Sequence, residues 1–530
     1  MKRSLITALA ALLLAGTIFA GGIVTNTNQS AMYTRMAARH ATLGIDAVYY
    51  NPAGLTKLGK GFHFSINNQT IGQTRTITSN YQPLNDGKYT GEVSAPIFPG
   101  VYAVFNMGKL AFSAGFNPIG GGGGATYNRG LPSFEYSPSD LPTALVNPLI
   151  GQTVDGYSID AFFEGSSIFF GYQANVSYKI NDMISVAVGV RYVSAKETYK
   201  GHLNDMTLLG LNNVTLPVAI DITGQNYFLN AAASAQGGYV DLNTDITDGT
   251  ILAGDPLSNP THIQTLTVMG LYTPGMSNGA AAATYAGAAG QYTVTSNLLA
   301  SQDVDAEKTA SGFTPIVSVN IQPIEMLNVA VKYEHLTKLE FTNKTVAGKE
   351  GTVGFDASTG QYVTLFPNDA KTNLDMPALL SIGATLRPID ALLIATGFTS
   401  YFDKNANWDG REELLDGNSW DVAIGAEYSF GEKLLASASW SMTQTGAQEA
   451  YQSDLSYSLP TSGISFGIGY NIIESLQVNL GVQLVNYTSG ERNFQHDFAN
   501  AGVMMPVKET YEKAVWVVGA GINYSLSTGE

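Results

Sequence analysis

The chain has no cysteine, which excludes disulfides, thiolate metal sites, a cysteine nucleophile and a lipid anchor on an N-terminal cysteine. Charge is scarce, at 13% of residues, and mostly acidic; the formal net charge is −16, or about −18 without Lys2 and Arg3. So acidic a chain is a poor partner for nucleic acid. Beyond the first 20 residues there is no run of about 18 apolar residues, which argues against membrane-spanning helices. The six histidines, His40, His63, His202, His262, His335 and His496, stand singly, without the close spacing of a zinc site. No Gly-x-Ser-x-Gly elbow or serine, histidine and carboxylate set stands out, and no Lys-Ser or Lys-Thr follows the glycine run 120–124 as a phosphate-binding loop requires. The reading is a non-enzyme with no metal site and no cofactor.

What the chain does have is glycine, 57 residues of 530, and tyrosine, 28, a mixture suited to many strands and turns. Residues 1–20 read as a signal peptide: Lys2 and Arg3, an apolar stretch from Leu5 to Leu14, then small residues. Cleavage is expected after Ala20, although Ile18 is an imperfect third residue back; a single membrane anchor is the competing reading. An exported chain rich in strands is secreted, periplasmic or an outer-membrane barrel.

From Phe62 onward the apolar period is two. Leu476, Val478, Leu480, Val482 and Leu484 oppose Gln477, Asn479, Gly481 and Gln483; Ile464, Phe466, Ile468 and Tyr470 oppose Ser465, Gly467, Gly469 and Asn471. Val186, Val188, Val190 and Tyr192 stand against Ala187, Gly189 and Arg191, and Trp516 to Leu526 alternate in the same way. Six connections are short, at 106–109, 179–183, 322–326, 387–391, 430–433 and 471–475. Seven are long: 79–92, 121–165, 201–310, 344–371, 405–417, 444–457 and 490–512. Six short and seven long connections join fourteen strands, and their asymmetry is that of a bacterial outer-membrane barrel, with the long loops outside the cell. The fold class expected is all-β: a membrane-spanning antiparallel β-barrel of about 14 strands.

Two stretches break this pattern. Asp46-Ala47-Val48-Tyr49 leads into Asn51-Pro52-Ala53-Gly54, which reads as a turn because proline fixes one backbone angle and glycine permits a reversal. In the third strand, Leu110, Phe112, Ala114 and Phe116 begin an apolar face that Asn117-Pro118 and Gly120, Gly121 and Gly122 interrupt, so the strand bends or stops early. Together with Asn26 to Ser30, Arg35-Met36 and Arg39, the first stretch resembles the N-terminal hatch of the FadL family of outer-membrane long-chain fatty-acid transporters. The resemblance implies that 21–60 is a hatch, or plug, inside the lumen of a barrel formed by 61–530. It implies that Asn51, Pro52, Ala53 and Gly54 are the hatch motif, and that the third-strand kink opens the wall sideways toward the membrane.

Arg191, Lys332, Glu334, Asp421 and Glu427 lie opposite the apolar residues and so face the lumen, since Arg or Lys toward lipid would cost about 2–4 kcal/mol at the midplane. Pairing with one another and with Arg35, Arg39 and Asp46 is the plainer role for them. The sharper one is that Arg191 or Lys332 meets a ligand carboxylate. The apolar stretches Leu131 to Ile150, Phe228 to Ala235 and Ala280 to Ala289 are expected to fold as short helices and hairpins over the mouth, sharing a groove or simply packing together.

The expected function is passive uptake of long-chain fatty acids or similar hydrophobic compounds across a Gram-negative outer membrane, by a monomer in contact with outer-membrane lipid. An uptake channel for aromatic hydrocarbons, a diffusion porin, a membrane-embedded hydrolase and an adhesive barrel are the rivals.

Overall fold

The computed structural model describes residues 23–527, so the signal-peptide reading of 1–20 lies outside the described residues. Fourteen strands form one closed antiparallel ring. They are β1 (Gly61–Ser79), β2 (Lys88–Asn106), β3 (Leu110–Tyr127), β4 (Gly156–Lys179), β5 (Ile184–Asn213), β6 (Gln302–Ile324) and β7 (Leu327–Glu334 continuing in Glu340–Glu350). Then come β8 (Lys371–Asn373 and Leu379–Ile389), β9 (Leu392–Tyr401), β10 (Trp420–Phe430), β11 (Leu434–Gln444), β12 (Thr461–Ile473), β13 (Leu476–Tyr487 and Gly490–Phe498) and β14 (Val503–Ser527). Neighbours in the chain pair with each other, and β1 closes on β14 along its whole length, from Gly61 opposite Ser527 to Ser79 opposite Glu509. A closed ring leaves no strand edge.

The period-two pattern sets which side chains point inward. Leu480, Val482 and Leu484 are exposed while Asn479 and Gln483 are buried; Ile464, Phe466 and Ile468 are exposed while Ser465 is buried. Phe62, Phe64, Ile66, Val188, Val190, Trp516 and Val518 continue the outer apolar surface round the ring. Leaving it in water would forgo about 25 cal/mol per Å² of apolar area, and a lipid bilayer is the environment that suits it. Among the described residues no helix is long and apolar enough to cross a membrane.

The six expected short turns lie at one rim. At the other rim, strands run further than the sequence pattern indicates. The two longest connections are 128–155 and 214–301 rather than 121–165 and 201–310, because β3, β4, β5 and β6 extend past the apolar belt. There the outward face turns mainly polar, as at Ser158, Asp160 and Glu164, yet the backbone ladder continues, Phe163 still opposing Gly201. The expected loop 490–512 is largely a hairpin, with Gly490–Phe498 paired to Val503–Tyr511. Its turn uses Ala499 and Asn500, both with positive φ (51° and 55°).

Ahead of β1, the chain from Ile23 to Leu58 is almost wholly buried and packs against the inner face of the ring. It contains α1 (Ala31–Arg35), capped by the Ser30 hydroxyl accepting from Tyr33 N at 3.0 Å, and α2 (Ala47–Tyr50). The loop rim carries α3 (Pro132–Ala144), α4 (Gly224–Thr247), α5 (Pro260–Val268) and α6 (Asn278–Leu298). The two alanine-rich stretches fall in α4 and α6, which pack on each other through Ala235, Leu242, Ala281 and Tyr285. Their approach is so close that a Cβ at Gly238 would lie 2.7 Å from the Tyr285 ring.

Candidate functional site

The N-terminal segment meets the wall in three ways. The first is an anchor at Asn51 to Gly54. The expected turn is a short 3-10 helix, Pro52–Lys57, with Pro52 in its first turn, where a missing N–H goes unmissed. Gly54 does not take a positive φ. Its value is space, since a Cβ there would stand 2.4 Å from Asn51 Nδ2. Asn51 Nδ2 donates to Asn320 Oδ1 at 2.8 Å and to the Thr42 carbonyl at 3.1 Å. Ser177 donates to the Pro52 carbonyl and Ser185 to the Ala53 carbonyl, both at 2.7 Å, and Ala53 N donates to Ser318 Oγ at 2.9 Å. Three inward serines of β4, β5 and β6 thus satisfy backbone groups that a buried segment outside regular structure would otherwise leave unpaired.

The second contact is ionic. Arg39 pairs with Asp46 inside the segment, at 2.7 Å, and Arg35 reaches Glu427 on β10 at 2.8 Å. Arg191 and Lys332 do come together, but on Glu334: Arg191 donates to both carboxylate oxygens, at 2.5 and 2.9 Å, and Lys332 Nζ to one of them at 2.7 Å. Lys332 Nζ also donates to the Tyr49 carbonyl at 2.8 Å and lies 4.5 Å from the centre of that ring. Two strands further along the same wall, His40 Nε2 is 3.1 Å from Thr399 Oγ1 and 3.5 Å from Asp421 Oδ1, and Tyr401 donates to Asp421 Oδ2 at 2.5 Å.

The third contact is with glycine. A Cβ at Gly397 would fall 1.9 Å from His40 Nδ1, at Gly425 2.7 Å from Met36 Cγ, at Gly481 2.5 Å from Arg35 N, and at Gly519 2.7 Å from Thr34 Oγ1. Wall glycines therefore make the seat into which the segment fits.

At the third strand the ladder between β2 and β3 is interrupted. β2 and β3 pair from Asn106 and Ala111 to Val101 and Phe116, and again from Val93 and Ala125 to Gly91 and Tyr127. Between these stretches, residues 94–100 and 117–124 do not pair with each other. Asn117, Pro118, Gly120, Gly121 and Gly122 turn inward and are buried, with Gly121 at φ 88°. The N-terminal segment meets them there: Asn26 N donates to the Ile119 carbonyl at 2.8 Å, Asn26 Nδ2 to the Gly121 carbonyl at 3.1 Å, and Gln29 Nε2 to the Pro118 carbonyl at 3.0 Å. A Cβ at Gly120 would lie 2.7 Å from the Val24 carbonyl oxygen, so this approach needs glycine.

Between the segment and β7 to β11 lies a cavity of about 20 Å³, lined by Tyr33, His40, Lys332, Asp421, Ser441 and Thr443 among others. That is room for one water-sized group. On the loop side of the segment, Ile71, Val93, Tyr127 and Val517 of the wall join Tyr136 and Tyr457 in an apolar cluster rich in tyrosine.

Sequence reasoning placed Arg191, Lys332, Asp421 and Glu427 on the lumen side. It did not reach His40, the hatch tyrosines or the seating role of the glycines. The glycines left a signal, in that Gly467, Gly481, Gly519 and Gly521 recur on the polar face of successive strands.

No family model matches the chain, and no curated protein matches it. Solved structures do. A FadL homologue of Pseudomonas aeruginosa superposes with a TM-score of 0.56 at 13% identity, over 95% of this chain and 100% of that one. The chain has the fold of a FadL-type barrel. The toluene transporter TbuX of Ralstonia pickettii gives a TM-score of 0.46 at 15% identity, over 93% of this chain and 98% of that one. The toluene transporter TodX of Pseudomonas putida gives 0.46 at 14% identity, over 96% and 99%.

Proposed function

We propose that the protein is an outer-membrane transporter that takes up hydrophobic compounds passively, long-chain fatty acids or molecules of similar character among them, without catalysis or cofactor. The observation that carries this reading is the coincidence of three features: an apolar outer belt, a plugged lumen, and a wall break closed by the plug's own backbone at Asn26. The loop-side tyrosine and aliphatic cluster receives the ligand, residues 23–58 act as the hatch, and hatch movement frees the break at 117–124 for lateral release into the bilayer. Each methylene buried on the way contributes about 0.8 kcal/mol of binding. A diffusion porin is disfavoured because the lumen is filled.

A carboxylate-holding role for Arg191 and Lys332 would require Glu334 to give way, since it now takes both cations. The tyrosines at the seam, Tyr33, Tyr49 and Tyr50, favour aromatic hydrocarbons as the second ligand class.

The test is binding and cellular uptake of a labelled long-chain fatty acid by the natural protein and by a variant with 117–124 replaced with a regular strand sequence. The reading expects saturable binding by both and uptake lost in the variant. Absence of saturable binding by the natural protein would overturn the fatty-acid reading, and undiminished uptake in the variant would overturn the lateral route.

A further inference from the structure

The wall side of the cavity is a single rung of paired residues. Lys332 of β7 lies opposite Ser381 of β8, Ser381 opposite Thr399 of β9, Thr399 opposite Asp421 of β10, and Asp421 opposite Thr443 of β11. All five line the cavity, as does Ser441. The rung is therefore hydroxyl-rich, with one cation at its start and one anion near its end. Neighbouring strands stand about 4.8 Å apart, which puts Lys332 and Asp421 on the order of 14 Å from each other along it.

Two observations say what the rung can receive. First, Ser441 Oγ and Thr443 Oγ1 are buried, at 4% and 2% exposure, and neither has a hydrogen-bond partner. A buried hydroxyl without a partner is costly, so two of them on one cavity mark a place made for a hydrogen-bonding group. Secondly, the Arg, Lys, Asp and Glu groups at the seam already balance, with His40 standing beside Asp421 in addition. Arg35, Arg39, Arg191 and Lys332 carry four positive charges, and Asp46, Glu334, Asp421 and Glu427 four negative ones. An entering carboxylate would leave one negative charge uncompensated in a desolvated place beside Asp421, which electrostatics penalises.

We propose that the seam between hatch and wall holds the uncharged polar end of the transported molecule, an alcohol or phenol hydroxyl on a hydrophobic body. The hydroxyl accepts from Ser441 or Thr443 and donates to the Asp421 carboxylate, and the cavity, with room for one such group, takes the head while the hydrophobic body follows the tyrosine face of the hatch. This assignment rests on the transport reading above and narrows it from hydrophobic compounds in general to neutral, hydroxyl-terminated ones.

The test uses the full-length protein held in amphipol, because alkyl detergents with sugar heads would compete. Octan-1-ol, octanoate at pH 8 and octane are titrated calorimetrically, so that the tail is constant and only the end group changes. The assignment expects octanol to bind at least about tenfold more tightly than octanoate. Ser441→Ala and Thr443→Val should each weaken octanol about fivefold, one hydrogen bond's worth, and leave octane unchanged. Asp421→Asn should narrow the gap between octanol and octanoate. Octanoate binding as tightly as octanol, or octanol binding indifferent to both hydroxyl variants, would overturn the assignment while leaving the transport reading in place. Binding of none of the three probes would overturn both.

Discussion

The two sides on which the N-terminal segment touches the barrel are built on different terms. Toward β4, β5 and β6, Ser177, Ser185 and Ser318 each answer one backbone group of Pro52 or Ala53. Toward β10 to β13, Arg35 Nε and Nη1, His40 Nδ1, Ser441 Oγ, Thr443 Oγ1 and Ser465 Oγ are buried without partners. Both sides are bonded, the second by Ala37 N donating to Ser439 Oγ at 2.8 Å and by His40 Nε2 at 3.1 Å from Thr399 Oγ1, but the second is seated in addition on glycines and one ion pair and carries the unpartnered groups just named. Were the segment to move, as the proposed transport requires, the unpartnered groups make the α1 and His40 end the one that costs less to part from the wall. The same asymmetry puts the cavity on the seated side.

Breaking the ionic cluster should have the largest effect. Glu334→Gln leaves Arg191 and Lys332 without their common carboxylate, and loss of one partner from a buried ion group costs about 3–5 kcal/mol. Chemical unfolding should show the loss, and the variant should bind octanoate better than the natural protein, because its two cations then lack their counter-ion. Next is Gly481→Val, which drives a branched side chain into the backbone of α1 at Arg35. Overpacking of this kind costs about 1–3 kcal/mol, and displacement of the plug should raise the ion conductance of the reconstituted protein.

The serines sharpen the comparison. Ser185→Ala or Ser318→Ala strands a buried backbone group of Ala53 and should cost about 1–3 kcal/mol in unfolding. Ser441→Ala, on the seated side, has no hydrogen bond to lose and should change stability by under about 0.5 kcal/mol. Equal costs on both sides would remove the distinction.

The smallest effect lies away from both contacts, in the loop after β9. Asp403 there is buried, accepts from Ser419 N at 2.9 Å, and has its carboxyl pushed up from 3.8 to about 6 by burial. Below pH 3.8 the group is protonated whether the loop is closed or open. Between 3.8 and 6 only the closed loop retains the proton, so its stability falls across that window and stays low above it. Hydrogen-exchange protection over 402–419, taken relative to the intrinsic exchange rate at each pH, should be lower at pH 8 than at pH 4, and Asp403→Asn should flatten the difference.

How much of this was legible in sequence follows from what a period can encode. Alternation reports two faces, so it put Arg191, Lys332 and Asp421 inside and Leu480 and Phe466 outside. It fades where no lipid covers the wall, which is why β3 to β6 outrun their expected ends and why the 490–512 hairpin reads as a loop. Ala499 and Asn500 added to that, since alanine is a poor signal for a positive-φ turn. The break at Asn117 to Gly122 was readable because proline and glycine act locally. The meeting of His40 with Asp421 and Thr399 was not, because it depends on the path of a plug through space and no spacing in the chain records it.

The central claim, that the seated side of the plug must part from the wall for transport, can be tested most directly by fastening it. The chain has no native cysteine, so His40→Cys with Thr399→Cys, joined by a short bis-thiol reagent, addresses one contact cleanly. The account predicts that uptake of a labelled hydrophobic probe is abolished in the joined protein and retained by each single variant treated with the same reagent. Full uptake with the two residues joined would contradict it.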